Sequence, residues 1–296
     1  MIDEFLNKII QGDCLEVLKT LPENSIDLIV TSPPYAEQRQ DSYGGVPEDE
    51  YPAWMLDIGR ASMRVLKPSG SLVINIKEHV NDGARSPYVL KMTLLLATEF
   101  HFVDEYIWEK TNPLPTGSKK RLKDGFERCL HFTKTLDYQF YPNALCTKST
   151  SKYCGSNERR KNKGAFSTKN GSNMAMGKRI TGDMVRPSNV FSFPTSCISI
   201  GHPAVFPPEL PSRFIRLMTN EGDIVLDPFM GSGTTGLVCK QLGRNYIGIE
   251  SKAEYVALAE KRINYAKCDL ANDLPGTEID VTGDLSDELL SPIVPS

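Results

Sequence analysis

The chain has 296 residues, of which 40% are hydrophobic and 24% are charged, and its formal net charge is −3. This composition is typical of a globular protein and excludes a polycation, so any nucleic-acid site would need local clustering of basic residues. The first residues have neither the basic segment nor the apolar run of a secretory signal, and no apolar run is long enough to suggest a membrane span. The seven cysteines include no CxxC pair. We therefore expect reduced thiols, no metal site and a cytoplasmic location.

The first 110 residues alternate between short apolar runs and stretches with helical spacing. The segment after residue 12 is typical of a helix, because Leu15, Leu18 and Leu21 recur at helical intervals and Asp13 is placed to cap it. Strands are predicted at 6–11, 26–30, 71–76 and 102–110, and helices at 13–25, 51–66 and 87–100, the second of them ending at "KPSG". This order favours a largely parallel sheet with helices on its faces.

The alternation stops between about 111 and 192, where neither helical nor strand periodicity is sustained. Residues 148–186 carry ten Lys and Arg side chains against only Glu158 and Asp183, with Gly, Ser and Asn between them. The plain interpretation is a solvated loop. The sharper one is a basic surface that contacts phosphates.

Order returns near residue 207. A helix is predicted in "PPELPSRFIRLMT", followed by a βαβ unit over 223–250 and a last helix at 252–266. No basic residue follows Lys267, and acidic residues lie among Gly and Pro. We interpret 269–296 as a disordered acidic tail.

A glycine turn joins the first strand and the helix of the βαβ unit, in "VLDPFMGSGTT" (225–235). Gly231 and Gly233 permit close approach of the backbone to a ligand, and no Lys follows them as in a phosphate-cradling loop. Glu250 ends the next strand, where a carboxylate can accept hydrogen bonds from both hydroxyls of a ribose. Because Asp227 adds negative charge, a nucleoside with a cationic sulfonium fits better than a pyrophosphate. A turn for another nucleotide is the alternative.

A second motif, "TSPPY" (31–35), follows the predicted strand at 26–30. Proline cannot donate to a sheet ladder, and it disfavours a helical conformation in the residue before it. Ser32 to Tyr35 should therefore leave the strand as a rigid, extended turn. Taken alone, such a turn is also an ordinary way to end a strand.

Together, "TSPPY" and "DPFMGSGTT" resemble the paired motifs of the DNA amino-methyltransferases, which use S-adenosylmethionine. The order of the two motifs resembles the β group of these enzymes, whose chain is circularly permuted. "GDCLEVL" (12–18), "YIWEK" (106–110) and "GHPAVFPPEL" (201–210) resemble the elements that contact the cofactor adenine, line the target-base pocket and pack around the methionine moiety. The resemblance covers most of residues 8–265, except the sequence of 111–200.

The resemblance implies a set of functional residues. The catalytic residues would be Ser32, Pro33, Pro34 and Tyr35. The cofactor-binding residues would be Asp13, His202, Asp227, Phe229, Gly231, Gly233, Thr234 and Glu250. The resemblance places Trp108 and Lys110 in the element that lines the target-base pocket. The other candidates for contact with DNA come from the residues themselves: Arg159, Arg160 and Lys161 belong to the basic cluster, and Arg39, just after the proline motif, either contacts DNA or anchors its loop to the sheet.

The chemistry of the proline motif follows from the target. An exocyclic amine is a poor nucleophile, because its lone pair is delocalised into the ring. The Ser32 hydroxyl oxygen and the Pro33 carbonyl can accept its two N–H bonds and localise that lone pair, while Tyr35 stacks on the base. We expect the methyl group to be transferred in one direct displacement, with the reactants held in line. The target base would be flipped out of the duplex and would also stack on Trp108. The departing proton leaves to solvent or through Ser32.

The predicted product is N4-methylcytosine, with N6-methyladenine as the alternative, because Ser before Pro-Pro-Tyr is more typical of the cytosine enzymes in this family. Protein and RNA methyltransferases with a related "NPPY" usually place the glycine motif first, which disfavours them. The intact motifs also disfavour an inactive nucleic-acid-binding relative. No Pro-Cys pair is present for cytosine-C5 chemistry.

The resulting fold class is α/β, a Rossmann-like methyltransferase sheet with helices on both faces, circularly permuted and carrying an inserted target-recognition region. The expected organisation is a catalytic half (1–110), a basic target-recognition region (111–192), a cofactor-binding half (193–268) and the acidic tail (269–296). S-adenosylmethionine is the expected cofactor and double-stranded DNA the expected partner. The resemblance also allows for a companion restriction endonuclease, and for a monomer or a homodimer.

Overall fold

A computed structural model describes residues 1–37, 45–81, 83–113, 120–148, 184–195 and 206–265. The strands are β1 (Lys8–Gln11), β2 (Ile26–Thr31), β3 (Leu66–Ile76), β4 (Val80–Asn81), β5 (Ala84–Arg85), β6 (His101–Lys110), β7 (Phe126–Thr133), β8 (Thr147–Lys148), β9 (Met184–Val185), β10 (Val190–Phe193), β11 (Ile224–Asp227) and β12 (Asn245–Glu250). The helices are α1 (Cys14–Thr20), α2 (Tyr51–Val65), α3 (Tyr88–Leu96), α4 (Glu209–Met218), α5 (Thr234–Gln241) and α6 (Ala253–Tyr265), after a 3-10 turn at Ile2–Phe5. None of the helices in the described ranges is both long and apolar enough to cross a membrane.

Eight strands form one sheet in the order β1-β12-β11-β2-β3-β7-β6-β10. The pairs from β1 to β3 and the outer pair of β6 with β10 are parallel, and β7 runs antiparallel to both of its neighbours. The carboxyl ends of the parallel strands therefore meet at one edge of the sheet, together with the start of β7. The prediction of a largely parallel sheet is confirmed.

The helices cover both faces of the sheet, as predicted. One apolar core lies between the sheet and α1, α2 and α3, and contains Leu18, Met55 and Met92. The other lies between the sheet and α4, α5 and α6, and contains Phe214 and Val238. Because both faces are buried, the central strand β2 is buried at every position.

Several local predictions are confirmed. The Asp13 side chain caps α1 by accepting hydrogen bonds from the backbone N–H groups of Leu15 (2.9 Å) and Glu16 (3.2 Å). The βαβ unit is present as β11, α5 and β12. Elements with a strong local pattern were thus predictable from sequence.

One strand begins earlier than predicted. The sequence "KPSG" was expected to end a helix before a strand at 71–76, but β3 already starts at Leu66 and includes that sequence. A shift of register between Ile26 and Leu28 of β2 accommodates it. Gly70 fits there because a Cβ atom would lie 3.0 Å from the Asp27 carbonyl oxygen and 3.1 Å from that of Ile26.

Two strands of the sheet start within 111–192, where the sequence shows no sustained periodicity. They are β7, which is inserted between β3 and β6, and β10, which pairs with β6. These two strands were not predicted from the sequence. In addition, β8 pairs with β9 in a separate two-stranded sheet, which places Lys148 opposite Met184.

Candidate active site

The two sequence motifs meet at the carboxyl edge of the sheet. β2 and β11 are neighbours, with Leu226 opposite Ile29, but the helices that follow them, α2 and α5, lie on opposite faces. Where the helices that follow two neighbouring strands lie on opposite faces, a crevice opens at the carboxyl ends of those strands, and α/β proteins bind ligands there. The Thr31 hydroxyl donates a hydrogen bond of 2.6 Å to the Asp227 carboxylate, which joins the last residues of the two strands.

Asp227 is fully buried at the end of β11. Its carboxylate accepts hydrogen bonds from the hydroxyls of Thr31 and Thr235, both at 2.6 Å, and from the Phe229 N–H at 3.0 Å. Burial raises its pKa from 3.8 to about 6, despite these donors, and the nearby Glu250 adds to the rise. The sequence predicted Asp227 in the cofactor site. The structure gives it three partners within the protein, including two threonines that the sequence analysis did not single out.

Glu250 ends β12 on the other side of the glycine turn and is 4% exposed. One carboxylate oxygen accepts the Gly231 N–H (3.0 Å), and the other accepts the Lys252 N–H (2.9 Å) and the Ser251 hydroxyl (3.3 Å). A carboxylate offers about four acceptor positions, and a hydroxyl can rotate away. Glu250 can therefore still accept hydrogen bonds from a ligand.

The two glycines of the turn have different surroundings. Gly231 has a positive φ of 52°, and its N–H donates to Glu250. Gly233 has a φ of 82°, and a Cβ atom there would lie 2.8 Å from the Ala259 Cβ of α6. The sequence analysis attributed both glycines to close approach of a ligand, whereas the close neighbour of Gly233 is a helix of the protein itself.

Arg262 of α6 fixes the same turn, and sequence analysis did not identify it. One of its guanidinium nitrogens donates to the Ser232 carbonyl (3.1 Å), the Ser232 hydroxyl (3.0 Å) and the Thr234 hydroxyl (3.0 Å). Burial lowers its pKa to about 10, so it stays charged at neutral pH. Thr234, predicted as a cofactor ligand, is thus hydrogen-bonded to Arg262.

The proline motif leaves β2 as an extended turn whose carbonyl groups are directed by its surroundings. The buried Tyr51, the first residue of α2, donates its hydroxyl to the Pro34 carbonyl at 2.8 Å. No described residue donates to the Pro33 carbonyl, which leaves it able to accept a hydrogen bond from a ligand. Ser32 is half-buried and lies close enough to Tyr35 to affect its pKa.

Tyr35 is held by a polar chain that reaches across the sheet edge. Its hydroxyl donates to one oxygen of Glu127 at the start of β7 (3.0 Å), and the Lys110 ammonium donates to the other (2.6 Å). Burial, and next the Glu127 charge, raise the pKa of Tyr35 well above its usual value. Lys110, which was predicted to contact DNA, is therefore already paired, and Glu127 was not identified from the sequence.

Trp108 is packed in the core beneath this chain and is 3% exposed. Its ring stacks on Phe193, with centroids 5.3 Å apart, and its indole N–H donates to the Phe193 carbonyl at 3.1 Å. The Lys110 ammonium lies 4.9 Å from the ring centroid. This packing does not favour the predicted role of Trp108 in stacking on a base.

The remaining predicted cofactor residues in the described ranges lie around the crevice. Asp13 follows Gly12, whose N–H donates to the Glu250 carbonyl at 3.0 Å, so the cap of α1 lies next to the end of β12. The half-buried Phe229 ring packs 5.8 Å from Trp54 of α2, measured between centroids. His202, Arg39, Arg159, Arg160 and Lys161 lie outside the described residues.

Two histidines outside the two motifs have polar neighbours. His131 is buried, bonds Ser71 at 2.9 Å, and has its pKa lowered to about 4 by burial. His79 lies beside the carboxylates of Glu37 and Glu48, a grouping that sequence spacing did not reveal. A metal ion could be held by such a group, but exposed acidic residues commonly cluster without one.

The two sides of the crevice differ in charge. We call the part around Asp227, Gly231 and Glu250 the cofactor side. We call the part around Ser32, Tyr35, Lys110 and Glu127 the base side. Asp227 and Glu250 accept hydrogen bonds from hydroxyls and backbone N–H groups, whereas Glu127 is paired with the Lys110 ammonium. The cofactor side can therefore accept a cationic ligand and the base side a neutral one.

Comparison with known proteins supports an assignment. The chain matches the N6_N4_Mtase family, described as DNA methylase, over residues 26–261. The type II methyltransferase M.PvuII of Proteus hauseri is 33% identical over 278 residues, which cover 85% of this chain and 82% of that protein. M.HinfI of Haemophilus influenzae is 31% identical over 284 residues, covering 90% of this chain and 70% of that protein.

Solved structures show the same likeness. The cytosine-N4-specific PvuII DNA methyltransferase matches with a TM-score of 0.66 at 29% identity, covering 86% of this chain and 89% of that chain. A complex of M1.HpyAVI with SAM matches with a TM-score of 0.57 at 26% identity, covering 87% of this chain and 98% of that chain.

Proposed function

This chain belongs to the DNA methylase family of N6 and N4 methyltransferases, and from that premise we propose that it methylates the exocyclic N4 of cytosine in duplex DNA. Membership makes it a DNA methyltransferase that uses S-adenosylmethionine. The observation that carries the assignment of the site is the Thr31–Asp227 hydrogen bond, which joins the proline motif to the glycine turn. Order and adjacency of the motifs also support a circularly permuted chain.

The residues of the cofactor side fit S-adenosylmethionine. This cofactor supplies an electrophilic methyl group on a sulfonium, and it also carries an ammonium group and a ribose. Asp227 and Glu250 are buried carboxylates that accept hydrogen bonds from hydroxyls and backbone N–H groups, so their charge favours a cationic ligand. Glu250 accepts the ribose hydroxyls. Asp227 acts through its charge and by holding Thr31, Thr235 and the Phe229 backbone in place.

On the base side, the Pro33 carbonyl and the Ser32 hydroxyl oxygen accept the two N–H bonds of the target amine. They localise its lone pair and direct it toward the cofactor side. Tyr35 packs on the flipped base, whose extrusion costs a few kcal/mol of unstacking. Ser32→Ala should lower turnover roughly a hundredfold, the usual effect of losing one preorganised polar group, without changing cofactor affinity.

The choice of cytosine rests on two observations. Ser32 occupies the first position of the proline motif, and the PvuII enzyme that matches in sequence and structure is described as cytosine-N4-specific. N6-adenine is the second candidate, because the family includes both activities. Serine can accept a hydrogen bond from either amine, so the base must be identified chemically.

The test combines two measurements. Labelled cofactor is offered to mixed-sequence duplex DNA, to RNA and to protein, and the methylated DNA is digested to nucleosides for mass spectrometry. We expect label in DNA only and N4-methyl-2′-deoxycytidine as the methylated nucleoside. N6-methyl-2′-deoxyadenosine alone would replace the base assignment and leave the amino-methylation chemistry intact, whereas label in RNA or protein alone would contradict both.

The target-recognition region is proposed to lie between β7 and β10, within the range first assigned to 111–192. The pairing of β8 with β9 supports this, because it brings the two ends of the basic stretch together outside the eight-stranded sheet. If Arg159, Arg160 and Lys161 contact phosphates, the affinity for DNA should fall with salt at a log–log slope near −0.9 per phosphate. Replacing all three with Ala should make that slope shallower. Replacing the exposed Lys19, Lys91 and Lys261 is the matched control.

The names of the relatives support a place in a restriction-modification system with a companion endonuclease. Protection of DNA from a nuclease encoded beside this protein would test that pairing. A monomer and a homodimer are both compatible with the proposed site, which draws its residues from one chain. Sedimentation of the protein with and without DNA distinguishes them.

A further inference from the structure

A buried ion pair lies directly behind the proline motif. It joins Glu127 of β7 to Lys110 of β6 at 2.6 Å, and the two side chains are only 9% and 11% exposed. The free oxygen of Glu127 accepts the Tyr35 hydroxyl at 3.0 Å. Three segments that are distant in sequence therefore meet at one carboxylate.

We propose that Glu127 and Lys110 are positioning residues for methyl transfer, which fix the Tyr35 ring against the flipped base. The proposal rests on the proposed function and deepens it, because it assigns residues outside both motifs to the base side. Neither residue needs to touch the reacting atoms. Each acts through the orientation of Tyr35.

The charges explain why this arrangement fixes a direction. An ionised carboxylate only accepts hydrogen bonds, so the Tyr35 hydroxyl must donate and points at Glu127. Lys110 pairs with the other oxygen of Glu127 and is in turn held over the Trp108 ring. A buried ion pair contributes little net stability compared with apolar side chains of similar size, so its role in the proposal is to hold the Glu127 carboxylate in place.

The backbone of the motif is fixed at the same time. Tyr51 donates to the Pro34 carbonyl, one residue before Tyr35, at 2.8 Å. The Tyr35 side chain is thus anchored at its backbone and at its hydroxyl, which fixes the direction in which the long axis of the ring points. A flat, neutral base can then pack on it in one orientation, with its amine toward Ser32 and the Pro33 carbonyl.

The test measures kcat, the KM for DNA and the cofactor Kd for four variants. Tyr35→Phe removes only the hydroxyl, Glu127→Gln removes the charge, and the double variant removes both. The control is Asp27→Asn at the opposite edge of the sheet, because the Asp27 carboxylate is as buried as that of Glu127 (8% exposed) and also pairs with a lysine, the more exposed Lys67, at 2.7 Å. Melting temperatures of all variants report any loss of stability.

We expect Glu127→Gln and Tyr35→Phe each to lower kcat about tenfold or more, while the KM for DNA and the cofactor Kd stay within twofold. The double variant should be no slower than the worse single variant, since both changes remove one interaction. Asp27→Asn should keep the wild-type kcat. If Glu127→Gln does not fold, Tyr35→Phe alone decides, because it leaves the ion pair intact.

Wild-type kcat in Glu127→Gln or Tyr35→Phe, or additive losses in the double variant, would overturn the proposal while the enzyme remains a DNA methyltransferase. A wild-type protein that binds S-adenosylmethionine but transfers no methyl group to any DNA would instead overturn the proposed function. The two failures are therefore distinguishable in one experiment.

Discussion

The cofactor side and the base side share one edge of the sheet, but the carboxylates on the two sides have different partners. On the cofactor side, Asp227 and Glu250 accept hydrogen bonds from hydroxyls and backbone N–H groups. On the base side, the Glu127 carboxylate is paired with the Lys110 ammonium. Under the proposed function, this difference directs the cationic methyl donor to one side of the crevice and the neutral nucleobase to the other.

The two sides also differ in how they are built. The cofactor side comes from one local βαβ unit, whose turn is packed against α6. The base side comes from β2, β6 and the antiparallel β7, so its polar groups meet only after the sheet has formed. Substitutions that separate packing, charge and hydrogen bonding can test this comparison.

The largest effect is expected from Gly233→Ala in the turn of the cofactor side. The new Cβ atom would lie 2.8 Å from Ala259, at a φ of 82° that disfavours a side chain. Strain and overpacking together should lower the free energy of unfolding by about 2–5 kcal/mol, measured by denaturant titration. Gly222→Ala is the control, because its φ is 83° and nothing lies within 4 Å of a Cβ atom there. Equal losses in both variants would mean that contact with α6 is unimportant.

A slightly smaller effect should come from the titration of Asp227. Its pKa is 3.8 in the unfolded reference and about 6 when buried, so the folded state holds this proton more tightly. The associated stability is fully present below about pH 4 and is lost as pH rises through 6, by about 3 kcal/mol. The difference in unfolding free energy between wild type and Asp227→Asn should change by this amount over that range. A constant difference would show that Asp227 does not titrate there.

The same group should couple pH to cofactor binding. A cationic ligand favours the ionised form of Asp227, which is depleted below about pH 6. The affinity for S-adenosylmethionine should therefore weaken as pH falls below 6 in the wild type. Calorimetry at several pH values should find this dependence reduced in Asp227→Asn.

The charge comparison predicts an intermediate effect from removing one carboxylate on each side. Glu250→Gln should weaken cofactor affinity by about 1.5–3 kcal/mol, the usual contribution of hydrogen bonds to a charged group. Glu127→Gln removes the same charge from the base side and should leave that affinity unchanged. Calorimetric titration of both variants with cofactor measures the difference. Equal losses would mean that the two sides are not electrostatically separate.

The smallest effect is expected from Trp108→Phe. The substitution removes the indole N–H that donates to the Phe193 carbonyl but keeps an aromatic ring in the core. It should lower the free energy of unfolding by about 1 kcal/mol and leave kcat and the KM for DNA unchanged. A clear loss of kcat in a stably folded variant would restore Trp108 as a base-contacting residue.

The part of the fold that was predictable from sequence is the part specified by local patterns. β11, α5 and β12 follow in sequence, and β12 has the predicted bounds 245–250. Glu250 and the glycine turn were accordingly predicted to lie together, and they do. Asp13 was predicted as a cap for the same reason, because a cap depends only on neighbouring residues.

The strand β7 was missed because its polar residues are satisfied by distant partners. Glu127 is paired with Lys110, Arg128 with Glu78 and Glu105, and His131 bonds Ser71. These side chains interrupt any apolar alternation, so the sequence does not have the pattern of a buried strand. Glu127 was missed as a site residue for the same physical reason. Thr31 and Arg262 likewise acquire their roles only when β2 and α6 reach the turn.

The pairing of β1 with β12 has a consequence for the order of synthesis. Lys8 lies opposite Ile247, and the Gly12 N–H is bonded to the Glu250 carbonyl. During translation β1 therefore leaves the ribosome more than 200 residues before β12, the strand with which it pairs. Contacts of such long sequence separation form slowly, and unpaired strand edges are prone to aggregation until those contacts form. The capacity to hold the methyl donor should consequently appear only once translation has passed β12, so truncated nascent chains cannot sequester it.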